Sequence, residues 1–231
     1  MAARSGARGG NQVFLLLTAG AVLYSAWITE FFLPTRLSPL DSFICELEAV
    51  GRPFRHIFVA GDTASGILIT AGSVLAFTRR KDVLPCWHRL GLVSLAAFGL
   101  TLIGFSAIFP MECAPSIDTA CRSAEARGEL SGQTGAHFTL SALSDTFFMV
   151  TLGTWSFRPS SRGRLDIRLT TVLAVNVVLV VAVAVLLDAP HWHGLLQRAQ
   201  VATATIGMCV LARRACPGAP SREAPADPGP S

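Results

Sequence analysis

Apolar residues in this chain come in runs of about twenty broken by short polar punctuation, a spacing that predicts membrane-crossing helices. Six runs are long enough to traverse ~30 Å of hydrocarbon: residues 13–33, 57–78, 87–109, 136–155, 169–187 and 195–212. The last is the weakest, because Arg198 interrupts it unless its long side chain snorkels to the surface. Arg4 and Arg8 ahead of the first run resemble a secretory leader, yet no convincing A-x-A cleavage site follows, so the run is read as a retained span. The expected fold is an all-α bundle of six transmembrane helices.

Composition agrees. Of 231 residues, 51% are hydrophobic and 15% charged, against roughly 25% charged in a soluble domain. The net charge of +4 does not indicate a nucleic-acid partner, because the basic residues sit in short clusters between apolar runs and form no basic-aromatic stripe. Their distribution sets orientation instead. Arg4 and Arg8, the run Arg79-Arg80-Lys81 with Arg89, the set Arg158, Arg162, Arg164 and Arg168, and the pair Arg213-Arg214 fall on one side of an alternating path. The opposite loops hold Arg36, Arg52, Arg55, Arg122 and Arg127, so both termini are expected in the cytoplasm. Residues 1–12 and 213–231 read as disordered cytoplasmic ends around a single membrane domain, 13–212.

With no soluble domain beside the bundle, chemistry must come from the spans or the outer loops. In the first outer loop, Ser38 or Asp41 is placed to cap a short surface helix running to about Val50, stopped by Gly51 and Pro53. The second holds Cys113 and Cys121, expected as a disulfide because the charge rule places them outside, where such bonds persist. In the last outer turn, His191 and His193 flank Trp192.

Inside the apolar runs, ionisable residues are costly and mark candidate sites. His137, Ser141 and Asp145 recur at i, i+4 and i+8 along one side of the fourth span. Asp62 lies a turn and a half into the second span, on a face continued by Gly66 and Ser73. The expected pocket faces the outer leaflet, with Asp62, His137 and Asp145 as candidate catalytic groups and Glu46 and Glu112 at its mouth. Such donors suit Zn²⁺, with His137, Asp62 and His193 as ligands, or general acid/base work. The competing reading is that these groups hydrogen-bond across helices and fix register, as Asn176 is expected to do in the fifth span.

The string FPMECAPSIDTACR, with ELEAVGRPFRHIFVAGDTASG before it and GQTGAHFTLSALSD after it, resembles the bacterial membrane family called domain of unknown function 998. The resemblance covers roughly residues 13–211, and the positions it carries over are Glu46, Asp62, Glu112 with Cys113, and His137. Cys45 stands where the family has serine, and Glu112 where it has aspartate. The resemblance implies several spans in a bacterial cell membrane and no activity. Three functions fit: a lipid-active, hydrolase-like enzyme with membrane lipids as partners, a small proton-coupled transporter, or a structural accessory protein. Against the transporter stand the lack of an internal repeat and of Gly/Pro-broken midspan helices.

Overall fold

A computed structural model describes residues 2–157, 165–186 and 192–215. The end of the fifth apolar run, His191, Arg158, Arg162, Arg164 and the tail from residue 216 lie outside the described residues.

Among the described residues the chain is helical and has no strand beyond one isolated bridge, Phe157 to Leu165. The α-helices are α1 (Ala2–Leu23), α2 (Arg55–Arg80), α3 (Cys86–Ile103), α4 (Thr119–Ala126), α5 (Gly132–Ser156), α6 (Ile167–Val185) and α7 (His193–Ala215). α1 begins well before the first apolar run, because a helix once nucleated adds residues at little cost and Ala2, Ala3, Arg4, Ala7 and Arg8 are good helix formers. Asp118, Ser131 and Asp166 cap α4, α5 and α6 by accepting backbone N–H bonds of their first turns.

The six long helices pack as a closed ring, with α1 against α2, α2 against α3, α3 against α5, α5 against α6, α6 against α7, and α7 back against α1. Phe98, Phe148, Leu152, Ile69 and Leu17 fill its core, while Leu15, Val74, Val93, Val178 and Ile206 point outward and are exposed. An apolar outer face on an apolar core is what hydrocarbon, rather than water, selects. Five of these helical segments are long and apolar enough to cross a membrane: Gly10–Phe32, Arg55–Arg80, Cys86–Ile108, Ile167–Val185 and His193–Ala215. The sequence pattern predicts a sixth span at 136–155, but α5 is not among the segments apolar enough to cross. Its length suffices, and Gln133, His137, Ser141, Ser144 and Asp145 dilute its apolar content.

Two of the apolar segments are not regular α-helix throughout, contrary to the expectation of unbroken spans. The first turns at Tyr24 and Ser25 and continues as a 3-10 helix, Ala26–Phe32; the third ends in a π-helical turn, Gly104–Ile108. Small residues hold α2 and α3 close between these breaks. A Cβ at Gly99 would lie 2.6 Å from the Gly66 carbonyl, and one at Gly66 would lie 2.4 Å from the Gly99 carbonyl. Gly99→Ala is therefore expected to lower stability by about 1 to 3 kcal/mol, the usual cost of overpacking. Thermal unfolding in mild detergent tests this, and an unchanged midpoint would show that the helices can separate freely.

At one end of the ring, Arg79 Nη2 donates to Gln12 Oε1 (3.0 Å), Arg80 Nη1 to the Ala215 carbonyl (3.0 Å), and Arg214 pairs with the buried Asp166. The opposite end carries the loops expected to lie outside. There the expected surface helix ending near Val50 is instead a shorter 3-10 turn, Ile44–Glu48, while Ser38 Oγ donates to Asp41 Oδ2 (2.8 Å) in the turn before it. The turn is stopped near Gly51, whose φ of 78° redirects the chain into α2. Cys113 and Cys121 are disulfide-bonded with Cα atoms 6.0 Å apart, as expected.

Candidate functional site

The loop 34–54 is drawn down onto the ring by a set of polar ties. Glu46 Oε1 accepts the Phe43 N–H (3.0 Å), and its Oε2 accepts both the backbone N–H (3.0 Å) and the hydroxyl (2.6 Å) of Ser116. Ser116 lies between the bridged cysteines, so the disulfide loop and the 3-10 turn are joined through one carboxylate. Gln197 on α7 accepts the Ile44 N–H (2.6 Å). The start of α7 is pressed under the loop so closely that a Cβ at Gly194 would lie 2.5 Å from the Ser42 carbonyl, and the Gly194 N–H donates to Leu40 O (3.0 Å).

Arg198, one turn further along α7, fastens the same loop from inside. Its guanidinium grips Glu30 with two bonds of 2.6 Å and donates from Nη1 to the carbonyls of Ser42 (2.7 Å) and Gly194 (3.0 Å). Both members of the pair are buried. Arg198 thus does not snorkel to the surface; it finds its counter-charge in the first apolar segment.

Held there, the 3-10 turn presents Cys45 and Glu48 to a cavity between the helices. The cavity is also lined by Tyr24 and Trp27 at the break of the first segment, Asp62 of α2, Phe105 of the π-helical turn, Ser141, Ser144 and Asp145 of α5, and Gln197 and Gln200 of α7. Both irregular stretches therefore contribute to its wall. It offers about 60 Å³ to the centres of water-sized molecules, and one water needs ~10–15 Å³ of such space. Room for several polar molecules follows.

Three carboxyls, Glu48, Asp62 and Asp145, face this space, and among the described residues no Lys, Arg or His lines it. Gln200 Nε2 donates to Asp145 Oδ1 (2.7 Å), and Asn176 Nδ2 donates to the Gln200 carbonyl (3.4 Å), linking α5, α7 and α6. Glu48 is only 2% exposed, and its Oε2 has no hydrogen-bond partner. Burial pushes the Glu48 carboxyl up to about 7, against the opposing pull of the Arg55 guanidinium. Burial also raises the Cys45 thiol well above the ordinary range, with Glu46 and Glu48 adding to the effect. Cys45 is therefore a poor nucleophile in this setting.

The sequence-derived candidates divide. Asp62 and Asp145 share the cavity, joined by Ser141, whereas His137, Glu46, Glu112 and His193 are not among its lining residues. His137 is fully buried, and its Nδ1 lies 3.1 Å from the Phe105 carbonyl and 3.0 Å from that of Phe109. Since a carbonyl can only accept, Nδ1 carries the proton and the ring clasps the π-helical turn. Helical spacing did put His137 on the side of Asp145, but the carbonyls freed by the π-turn claim the ring first. Glu46 is a buried tie rather than a mouth residue, and Glu112 Oε2 accepts the Ser131 N–H (3.3 Å) at the start of α5. The His193 ring rests on Phe43, centroids 4.6 Å apart. His137, Asp62 and His193 do not assemble a zinc site, and among the described residues no three His, Cys, Asp or Glu side chains are placed to hold a metal ion.

The family model for "Protein of unknown function (DUF998)" matches residues 17–214. The chain belongs to the DUF998 family. No curated protein and no solved structure matches it. The DUF998 match takes in every residue that lines the cavity, from Tyr24 to Val201.

Sequence reasoning missed Glu48, Tyr24, Trp27 and the Glu30–Arg198 pair. Glu48 was overshadowed by Glu46, yet two residues along a three-residue turn they point in different directions. The pair had a readable signal: opposite charges, one in each of two apolar runs, each expensive alone.

The disulfide loop supports the cavity indirectly, through Ser116 and Glu46. Reduction of the bridge is expected to cost about 2 to 3 kcal/mol, from the disorder returned to an eight-residue separation. It is also expected to quicken amide exchange over residues 43–48. Exchange mass spectrometry with and without reductant checks this, and unchanged protection of 43–48 would show that the turn does not depend on the bridge.

Proposed function

We propose that this chain is a small proton-coupled carrier of a bacterial cell membrane, crossing it six times with both ends cytoplasmic and binding a polar solute in the acid-lined cavity. The observation that carries the reading is the convergence of Glu48, Asp62 and Asp145, from three separate elements, on one space that no basic side chain among the described residues lines. Arg55 lies near Glu48 but does not line the space, and three buried carboxyls facing one space must be balanced largely by protons, by a bound cation or by exchange between the two. That exchange is the elementary act of coupling.

Two further features support a carrier. The wall of the cavity includes both places where an apolar segment leaves α-helical geometry. Irregular backbone at membrane depth is tolerated where it is enclosed by protein or lines a cavity, and carriers place their sites at such breaks. The basic clusters at the ends of α2 and α7 lie together at the end of the ring away from the outer loops, in keeping with a cytoplasmic face there. α5 counts as the sixth span in this reading: it stands between apolar α3 and α6, and its polar residues Ser141, Ser144 and Asp145 face the cavity. A lipid-hydrolase mechanism has less support, since its proposed acid/base partner His137 is held by backbone carbonyls. Membrane lipids then surround the protein as solvent.

Vesicles reconstituted with the full chain and loaded with a pH-sensitive dye test the reading. A panel of small polar solutes added outside is expected to include at least one that changes the internal pH, and Asp62→Asn is expected to lower that rate at least tenfold without loss of folded yield. A folded wild-type protein that moves no protons with any solute, over pH 5 to 9, would contradict it.

A further inference from the structure

The chemistry of the cavity wall goes further than acidity and narrows what it holds. Beside the three carboxyls stand the aromatic rings of Tyr24, Trp27 and Phe105. The hydroxyls of Ser141 and Ser144 and the amides of Gln197 and Gln200 complete the polar part. An inorganic cation is ordinarily held by six or more oxygens, including backbone carbonyls. Aromatic faces instead favour an ammonium group whose charge is spread over C–H or N–H bonds, because the ring quadrupole attracts such a cation after it has shed water.

Size sets the second limit. A cavity with about 60 Å³ for water-sized centres holds on the order of four to six waters at ~10–15 Å³ each. That is the space of one small alkylammonium group, and it is too little for an acyl chain or a peptide. The third observation is the orphaned oxygen. Glu48 Oε2 is buried without a hydrogen-bond partner, and Glu48 belongs to the cavity wall. An N–H donor from a bound ammonium would satisfy an oxygen that otherwise remains desolvated at a cost.

We propose that the cavity binds a small organic ammonium group, seated against Trp27 and Tyr24 and neutralised by Glu48, Asp62 and Asp145. The proposal rests on the carrier reading for its site and adds the class of ligand. The same chemistry is offered by a free amine such as ethanolamine and by the headgroup of an ethanolamine phospholipid. Binding exchanges one bound proton for one bound cation, so the charge in the cavity is unchanged: one carboxyl O–H bond breaks, its proton passes to water, and the ammonium takes its place without covalent attachment.

Calorimetry on the full chain in mild detergent at pH 6, where Glu48 still holds its proton, tests this with four probes: methylammonium, ethanolamine, sodium, and a short-chain phosphatidylethanolamine. At least one ammonium compound is expected to bind with proton release, and an equal concentration of sodium is expected not to displace it. Trp27→Leu should weaken binding on the order of tenfold, and Trp27→Phe, which keeps an aromatic face, by less. Binding of the free amines assigns the site to solutes, and binding of the phospholipid alone assigns it to headgroups; both support the ligand class. Sodium competing as an equal, no binding by any ammonium probe, or affinity unchanged in folded Trp27→Leu would overturn it. In those cases, solute-driven proton movement in vesicles would show that the carrier reading survives, and its absence that both have failed.

Discussion

Arg198→Met is expected to destabilise the fold by about 3 to 5 kcal/mol, the cost of leaving one member of a buried ion pair alone. The single change strips Glu30 of two bonds of 2.6 Å in a site where it is 4% exposed. It also frees the Ser42 carbonyl, so the first outer loop loses an internal anchor. The double replacement Glu30→Met with Arg198→Met should recover most of the loss, because it removes the orphaned charge as well as the pair. Unfolding of the full chain in mixed detergent micelles measures both. A cost below ~1 kcal/mol for the single variant would place the pair with exposed salt bridges and remove it from the account of how the loop is held.

Stability should fall as pH rises from 5 to 8, and Glu48 should contribute to the loss. Its carboxyl is raised from an ordinary 4.5 to about 7, so the folded state holds the proton more tightly than the unfolded chain. The contribution is complete below the unfolded value and is lost as pH passes through the folded one. Allowing 2–4 °C per kcal/mol for a chain of this size, the wild-type midpoint should drop on the order of 5 to 10 °C across that window. Glu48→Gln keeps the shape without the charge, so its profile should be shallower than that of the wild type and its midpoint at pH 8 higher. A variant that follows the wild-type slope would show that Glu48 does not titrate there.

The architecture was legible because hydropathy in a membrane protein is a strong constraint. Every backbone group must be satisfied within the span, so long apolar runs become helices, and five of the six expected ones meet that test by length and composition. The sixth, α5, shows where the rule weakens: the residues that make it useful make it less apolar. The disulfide was also readable, from its place in a loop that the charge pattern assigns to the outside. Asp62 and Asp145 could be singled out as ionisable groups in apolar surroundings, and they do share a cavity.

What could not be read was the backbone irregularity. No propensity marks Gly104–Ile108 as a π-turn, yet that turn offers His137 two carbonyls and takes it away from the acids. The 3-10 turn Ile44–Glu48 likewise depends on ties to Ser116 and Gln197, far away in the chain, and so Glu48 enters the cavity by tertiary contact alone. Tyr24 and Trp27 belong to the first apolar run by composition; only the break after Leu23 turns them toward the cavity.

The convergence of Glu48, Asp62 and Asp145 is most directly tested by counting protons. A potentiometric titration of the purified full chain from pH 4 to 10, repeated for Glu48→Gln, Asp62→Asn and Asp145→Asn singly and in pairs, reports whether the carboxyls sense one another. A shared cavity predicts non-additive curves, in which removing one carboxyl displaces the titration of those that remain. Curves that differ from the wild type by independent single-proton steps, adding up in the pairs, would mean that the three acids occupy separate surroundings and that no common site exists.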